Sequence, residues 1–259
     1  MWRYGGGWHF HDDAVAIEEP LELRLHTPDG PMPLGVLMRT PGHDRDLLLG
    51  WLVSEGLMPH SLMLAADPEN DNVWHLSTPE HERLAAGARL AVSSSACGVC
   101  GSGSVERLLV RATPPEPLEV PINPTLLADL PRRLMTVQPT FTTTGGVHGA
   151  AVVTLSGDIL VAREDVGRHN AVDKVVGWAQ GRGLLPLSSH VLVVSSRAGL
   201  EIVQKAVTAG IGVVVAVGAA TSLAVETAAA FGVTVCGFAR DGRFTVYSAP
   251  DRVSGHPGT

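Results

Sequence analysis

Three short apolar runs in the second half of the chain, residues 190–195, 211–217 and 233–238, constrain the fold more than any other feature of the sequence. They are rich in valine and lack the polar alternation of a strand with one wet face. Such runs belong to strands covered on both sides. Between them the apolar residues recur at helical spacing, with Leu200, Val203 and Val207 in one stretch and residues 222–231 forming the next. Upstream, residues 170–180 place Val172, Val175, Val176 and Ala179 on one helical face. Residues 151–155 and 159–163 flank Ser156-Gly157-Asp158, a hairpin signal. Strands alternating with helices predict parallel neighbours and helices on both sheet faces. Residues 140–259 therefore read as a three-layer α/β/α domain.

The first half is less regular. Leu21, Leu23 and Leu25 alternate with Glu22 and Arg24, the pattern of a half-buried strand, and residues 33–39 form a second candidate. Residues 44–57 put Leu47, Leu48, Trp51 and Leu52 on one helical face and end near Gly56, a C-terminal cap. This makes residues 1–112 a smaller α+β subdomain. Residues 113–139 hold Pro114, Pro115, Pro117, Pro121, Pro124, Pro131 and Pro139, and read as a crossing between the two parts with a short helix over 125–134. The N-terminal residues lack the basic, apolar and small-residue order of a signal peptide, and the apolar run 211–220 is too short to span a bilayer. With three cysteines, these features predict a cytoplasmic protein. A net charge of −7 argues against nonspecific nucleic-acid binding but leaves room for a local basic pocket.

Two of the cysteines, Cys97 and Cys100, lie two residues apart in Ser93-Ser94-Ser95-Ala96-Cys97-Gly98-Val99-Cys100-Gly101-Ser102-Gly103. Residues 93–103 offer little apolar surface and many glycines, which predicts a mobile surface loop. A zinc site needs four ligands, and His148 and His169 are available to complete one. A structural disulfide fits poorly without an export signal, and a thioredoxin-type pair should open a helix. A thiolate that accepts and passes on sulfur is the remaining possibility, and spacing alone does not choose among these. Cys236 sits in an apolar run and reads as a core thiol.

Ligand sites in α/β domains gather at the carboxyl ends of the strands. Three polar clusters follow strands here: residues 163–170, with Arg163, Arg168 and His169; residues 195–199, with Ser196 and Arg197; and residues 218–222, with Thr221 and Ser222. Each either caps a helix or exposes its N–H groups to an anion. No dinucleotide or Walker fingerprint is complete. A zinc deaminase is excluded by the absence of His-x-Glu and Pro-Cys-x-x-Cys.

Residues 164–174, Glu-Asp-Val-Gly-Arg-His-Asn-Ala-Val-Asp-Lys, resemble the signature of the formate dehydrogenase accessory sulfurtransferases, the FdhD/NarQ family. Residues 38–42 running into 54–57, residues 97–101, residues 144–148, and the run from Ser196-Arg197 to residues 221–224 fit in the same order. One departure is Gly218-Ala219-Ala220, where Ser-Ala-Pro is commoner. The resemblance implies a cytidine-deaminase-like fold and a homodimer. It also implies a carrier that takes persulfide sulfur from a cysteine desulfurase and passes it to the molybdenum cofactor of formate dehydrogenase, Mo-bis(molybdopterin guanine dinucleotide). On that basis Cys97 is the thiolate that becomes a persulfide and Cys100 assists it. The cofactor segment is Phe238-Ala239-Arg240-Asp241-Gly242-Arg243, joined by the strand-end clusters, and GDP should act as an analogue. Independently of the family, Asp241-Gly242 signals a β-turn between two strands. A non-covalent cofactor-binding chaperone of the dehydrogenase is the alternative, and a zinc-stabilised binding module the third.

Overall fold

Two sheets of different size organise the chain. The structure, a computed structural model, describes residues 1–87, 113–118 and 121–256. Strands β1 (Trp2–Tyr4) and β2 (Trp8–Phe10) form a separate hairpin across a triple-glycine turn, its aromatic rings paired edge to face, Trp2 on Phe10 and Tyr4 on Trp8. Next come β3 (Glu19–Thr27), β4 (Gly30–Arg39), α1 (Asp44–Ser54), β5 (Met63–Ala66) and β6 (Val73–Ser77). The four strands β3–β6 make the smaller sheet in the order β4-β3-β6-β5, with β3 and β6 parallel. The alternation read from the sequence is realised: Leu21, Leu23 and Leu25 point inward onto Leu47, Leu48 and Leu52 of α1. Gly56 ends that helix region at φ +65°, a conformation that favours glycine.

The rest of the chain runs through α2 (Pro124–Met135), α3 (Pro139–Thr144), β7 (His148–Thr154), β8 (Ile159–Asp165), α4 (Arg168–Gln180), β9 (His190–Val194), α5 (Leu200–Thr208), β10 (Val213–Ala216), α6 (Ser222–Ala230), β11 (Thr234–Arg240) and β12 (Arg243–Ser248). The larger sheet has the order β12-β11-β10-β9-β7-β8. Parallel pairing is confined to β9, β10 and β11. Both flanks are antiparallel, because the short turns joining β7 to β8 and β11 to β12 leave no length for a crossover.

Three layers result, because successive residues of each strand face opposite sides. Leu192, Val194, Val214, Ala216 and Val235 pack under α4, α5 and α6, while Val191, Val193, Val213, Val215 and Cys236 face α2 through Leu127, Leu130 and Leu134. The proline-rich stretch thus supplies a full helical layer. Its helix tolerates two prolines: Pro124 occupies the first turn, where no N–H is needed, and the Asn123 side chain caps the Thr125 N–H at 2.9 Å. Pro131 lies within the helix, whose leucine face stays buried. Among the described residues no helix is long and apolar enough to cross a membrane.

Helices α1 and α4 join the two parts of the chain at a glycine crossing. A Cβ on Gly50 would fall inside the Asp173 carbonyl, and one on Gly177 inside the Asp46 carbonyl. Neither residue can be enlarged without moving backbone. Cys236 is fully buried, and burial pushes its thiol up to about 12, so it is inert at neutral pH. Cys236→Ala should therefore lower stability by only about 1 kcal/mol, the scale of one buried heavy atom, with function retained. Urea denaturation checks the first part, and an assay of the formate dehydrogenase activation that the resemblance implies checks the second. Lost activation with an unchanged urea midpoint would refute the structural assignment.

Candidate functional site

Strands β8, β9, β10 and β11 run in one direction, so their carboxyl ends share one edge with the starts of β7 and β12. The three polar clusters predicted from the sequence all fall on this edge. There α4, α5 and α6 begin, and none is capped by a side chain: the N-cap residues are Gly167, Gly199 and Thr221. The capping role, favoured by composition, is not the one these residues perform. The starts of α4 and α6 leave their donors and dipoles open to negative charge, whereas at α5 the Glu201 carboxylate accepts its own backbone N–H.

The loops of the edge are laced together. Gly218 N–H donates to Ser196 O at 3.0 Å, Thr221 N–H to Ala198 O at 3.1 Å and Phe238 N–H to Gly218 O at 2.9 Å. This brings Ser196, Arg197, Thr221, Ser222 and Phe238 into one strip. Gly218 permits the approach, since a Cβ there would stand 3.0 Å from Arg197 Cα. At one end of the strip, Asp241 (φ 54°) and Gly242 (φ 73°) form a two-residue turn with Arg240 paired to Arg243 across it. Two positive φ angles in succession mark a type I′ turn, the geometry that favours Asp-Gly. Phe238 also has a positive φ of 50°, at a register shift of β11, and its ring is 44% exposed. A bulky residue held there is a strained feature of the kind found at ligand sites.

Arg240 and Arg243 line two recesses. A groove of about 1100 Å³ runs between the turn and α2, walled by Ala239, Phe244, Leu126 and Asp129. A smaller recess of about 230 Å³ lies against Phe238, Phe244 and Thr245. On the groove wall, hydrogen bonds from Arg132 and Arg133 hold the Asp129 carboxyl down to about 2, so it stays ionised and paired. Arg240 and Arg243 make no ion pair among the described residues, and neither do Arg168 and Arg197. Among the described residues, four arginines without a close ion pair thus lie along one edge of an acidic protein.

Arg163 is different. Its guanidinium turns away from the edge and binds Asp46 Oδ2 of α1 at 3.0 Å. At the far end of the edge, Arg168 and His169 open α4 beside His148, the first residue of β7. Burial, then Arg168 and His169, push the His148 imidazole below its usual range. His169 Nε2 stands 3.4 Å from Glu201 Oε2 of α5, and this imidazole is the main cause holding the Glu201 carboxyl down at about 2.

The remaining charged residues of the 164–174 segment do not face a ligand. Asp165, 0% exposed, pairs with Lys174 Nζ at 2.8 Å and accepts from the N–H groups of Thr40 (3.1 Å) and Gly167 (2.8 Å) and from Asn170 Nδ2 (3.0 Å). Lys174 donates to Thr40 O at 2.8 Å, and Asn170 to Met38 O at 2.8 Å. Farther along α4, Asp173 receives Lys205 Nζ at 2.7 Å and Ser54 Oγ at 2.7 Å. Glu164 accepts from the Thr140 and Phe141 N–H groups, at 2.9 and 2.8 Å, and so caps α3. Sequence reasoning missed this lock. The available signal was Asp173-Lys174 lying among the valines of a buried helical face. Cys97, Cys100 and the loop 93–103 lie outside the described residues.

The family model described as FdhD/NarQ family matches residues 16–254. The sulfur carrier protein FdhD of Corynebacterium efficiens is 44% identical over 253 residues, covering 91% of this chain and 89% of that protein. Its counterpart in Streptomyces coelicolor is 43% identical over 263 residues, covering 93% and 89%. In three dimensions, the crystal structure of a Desulfotalea psychrophila protein described as a formate dehydrogenase accessory protein is similar, with a TM-score of 0.73, 22% identity and coverage of 98% of both chains. That likeness extends over the whole architecture described above.

Proposed function

Because the chain belongs to the FdhD/NarQ family, we propose that it is a sulfur carrier for formate dehydrogenase, taking sulfur from a cysteine desulfurase and passing it to the dehydrogenase's molybdenum cofactor. The cofactor, bis-molybdopterin guanine dinucleotide, is the substrate rather than a resident group. The Cys97 thiolate attacks the terminal sulfur of the desulfurase persulfide. One S–S bond forms as another breaks, the desulfurase thiolate leaves, and no net oxidation occurs. Cys100 can then attack the Cys97 persulfide, forming the Cys97–Cys100 disulfide and releasing hydrosulfide.

The observation that carries the cofactor side is the edge itself. The uncapped starts of α4 and α6, with Arg197, Arg240 and Arg243 making no ion pair among the described residues, suit a ligand bearing several phosphates. The guanidinium groups of Arg240 and Arg243, presented on a rigid type I′ turn, match diphosphate oxygens in pairs.

Calorimetry tests this reading. GDP should bind more tightly than ADP, since a polar pocket that reads the guanine edge is left unpaired by adenine, at about 1–3 kcal/mol per buried group. Arg243→Ala should weaken GDP about tenfold, as expected for losing a charge-assisted hydrogen bond. Binding should fall with rising salt and survive Cys97→Ala. Equal affinity for the two nucleotides, or GDP affinity unchanged across Arg197, Arg240 and Arg243 variants, would refute the cofactor site.

A further inference from the structure

The edge has a second centre of charge that the nucleotide does not need. His148, Arg168, His169 and Glu201 gather where β7 starts and where α4 and α5 begin. They share one electrostatic neighbourhood, since Arg168 and His169 both act on His148 and both act on Glu201. His169 Nε2 is shut off from solvent and makes no aligned hydrogen bond, although Glu201 lies 3.4 Å away. Arg168 acts on Glu201 through space but makes no close ion pair among the described residues. Unlike Asp165, Asp173 and Lys174, these groups do not take part in holding the two sheets together.

Strand order gives their distance from the arginine turn. From β11, which ends in Arg240, the edge passes β10 and β9 to reach β7, which begins at His148. Three steps of about 4.8 Å place the two centres about 14 Å apart. Each dinucleotide arm of such a ligand is elongated, its phosphates set apart from the sulfur-accepting metal that the two arms would share. If Arg240 and Arg243 hold its phosphates, the remainder extends along the edge toward the histidines.

We propose that His148, Arg168 and His169 form the seat where the ligand's sulfur-accepting end lies, opposite the nucleotide end at Arg240 and Arg243. The proposal rests on the sulfur-carrier reading above. A persulfide sulfur arriving there is anionic near neutral pH. Arg168 supplies a fixed positive charge for it, and the His148 imidazole an N–H donor. Glu201, anionic beside His169, orients that ring. Burial and the adjoining cations favour the neutral form of His148, which leaves one ring nitrogen a donor and the other an acceptor.

The test uses the full chain with His148→Gln and His169→Gln, each measured for GDP affinity, for sulfur loading by desulfurase and cysteine, and for activation of formate dehydrogenase. Expected are GDP affinity within twofold of wild type, full sulfur loading, and activation at least tenfold lower. Unchanged activation in both variants would overturn the seat. So would a loss of GDP affinity as large as that of Arg243→Ala, which would make these residues phosphate ligands. Should His169→Gln not fold, as judged by its melting curve, His148→Gln decides alone. A wild-type protein that takes no sulfur and binds no GDP would instead refute the sulfur-carrier reading itself.

Discussion

Cells whose only copy of this protein carries Cys97→Ala should have no active formate dehydrogenase, although the variant accumulates and melts like wild type. Residues 93–103 have few side chains that could build a core, so removing the Cys97 thiol should not incur the several kcal/mol of a buried truncation. Without a thiolate at position 97 the S–S exchange has no acceptor, and the loss should be complete rather than partial. Cys236 cannot substitute, because burial raises its pKa to about 12 and keeps it protonated within the sheet. Dehydrogenase activity in extracts, beside an immunoblot for the variant, measures both halves. Wild-type activity would eliminate the persulfide role and favour a non-covalent chaperone.

Asp165→Ala should be the most destabilising single change outside the hydrophobic core. It removes the only carboxylate paired with Lys174 among the described residues, in a site where Asp165 is 0% and Lys174 1% exposed. An unpaired buried ammonium costs about 3–5 kcal/mol. The N–H groups of Thr40 and Gly167 lose their acceptor as well. Replacing both partners, Asp165→Leu with Lys174→Met, should recover part of the loss because no charge is then stranded. Urea denaturation provides the values. A loss below about 1 kcal/mol for Asp165→Ala would show that the lock between the sheets contributes little.

Much of the architecture was legible because it follows from local rules. Valine runs gave the three parallel strands, Ser156-Gly157-Asp158 the first hairpin, and Asp241-Gly242 the second. The layer formed by α2 was harder to see, since prolines mark helix ends by default, and Pro124 and Pro131 obscured a buried leucine stripe. The β1–β2 hairpin was missed because its residues are exposed and show no inward-facing alternation. At the site, spacing identified the edge residues but not their orientation. Arg163 and Arg168 read alike in sequence, yet one is bound to Asp46 and the other makes no close ion pair among the described residues. Asp165, Asn170 and Lys174 lie in the most ligand-like segment and serve instead as a buried lock to Thr40 and Met38. Polar residues at strand ends point to solvent or ligand as a rule, and only a partner more than a hundred residues away reverses it. Whether Thr221 and its neighbours cap helices was also open in the sequence, and the N-cap geometry decides against it.

The most direct test of the sulfur-carrier account is mass spectrometry of the wild-type protein after incubation with a cysteine desulfurase and cysteine. The account predicts one added sulfur atom on the peptide carrying Cys97, removed by a reducing agent and absent from Cys97→Ala. A Cys97 peptide without added sulfur, in a preparation that still activates formate dehydrogenase, would contradict it.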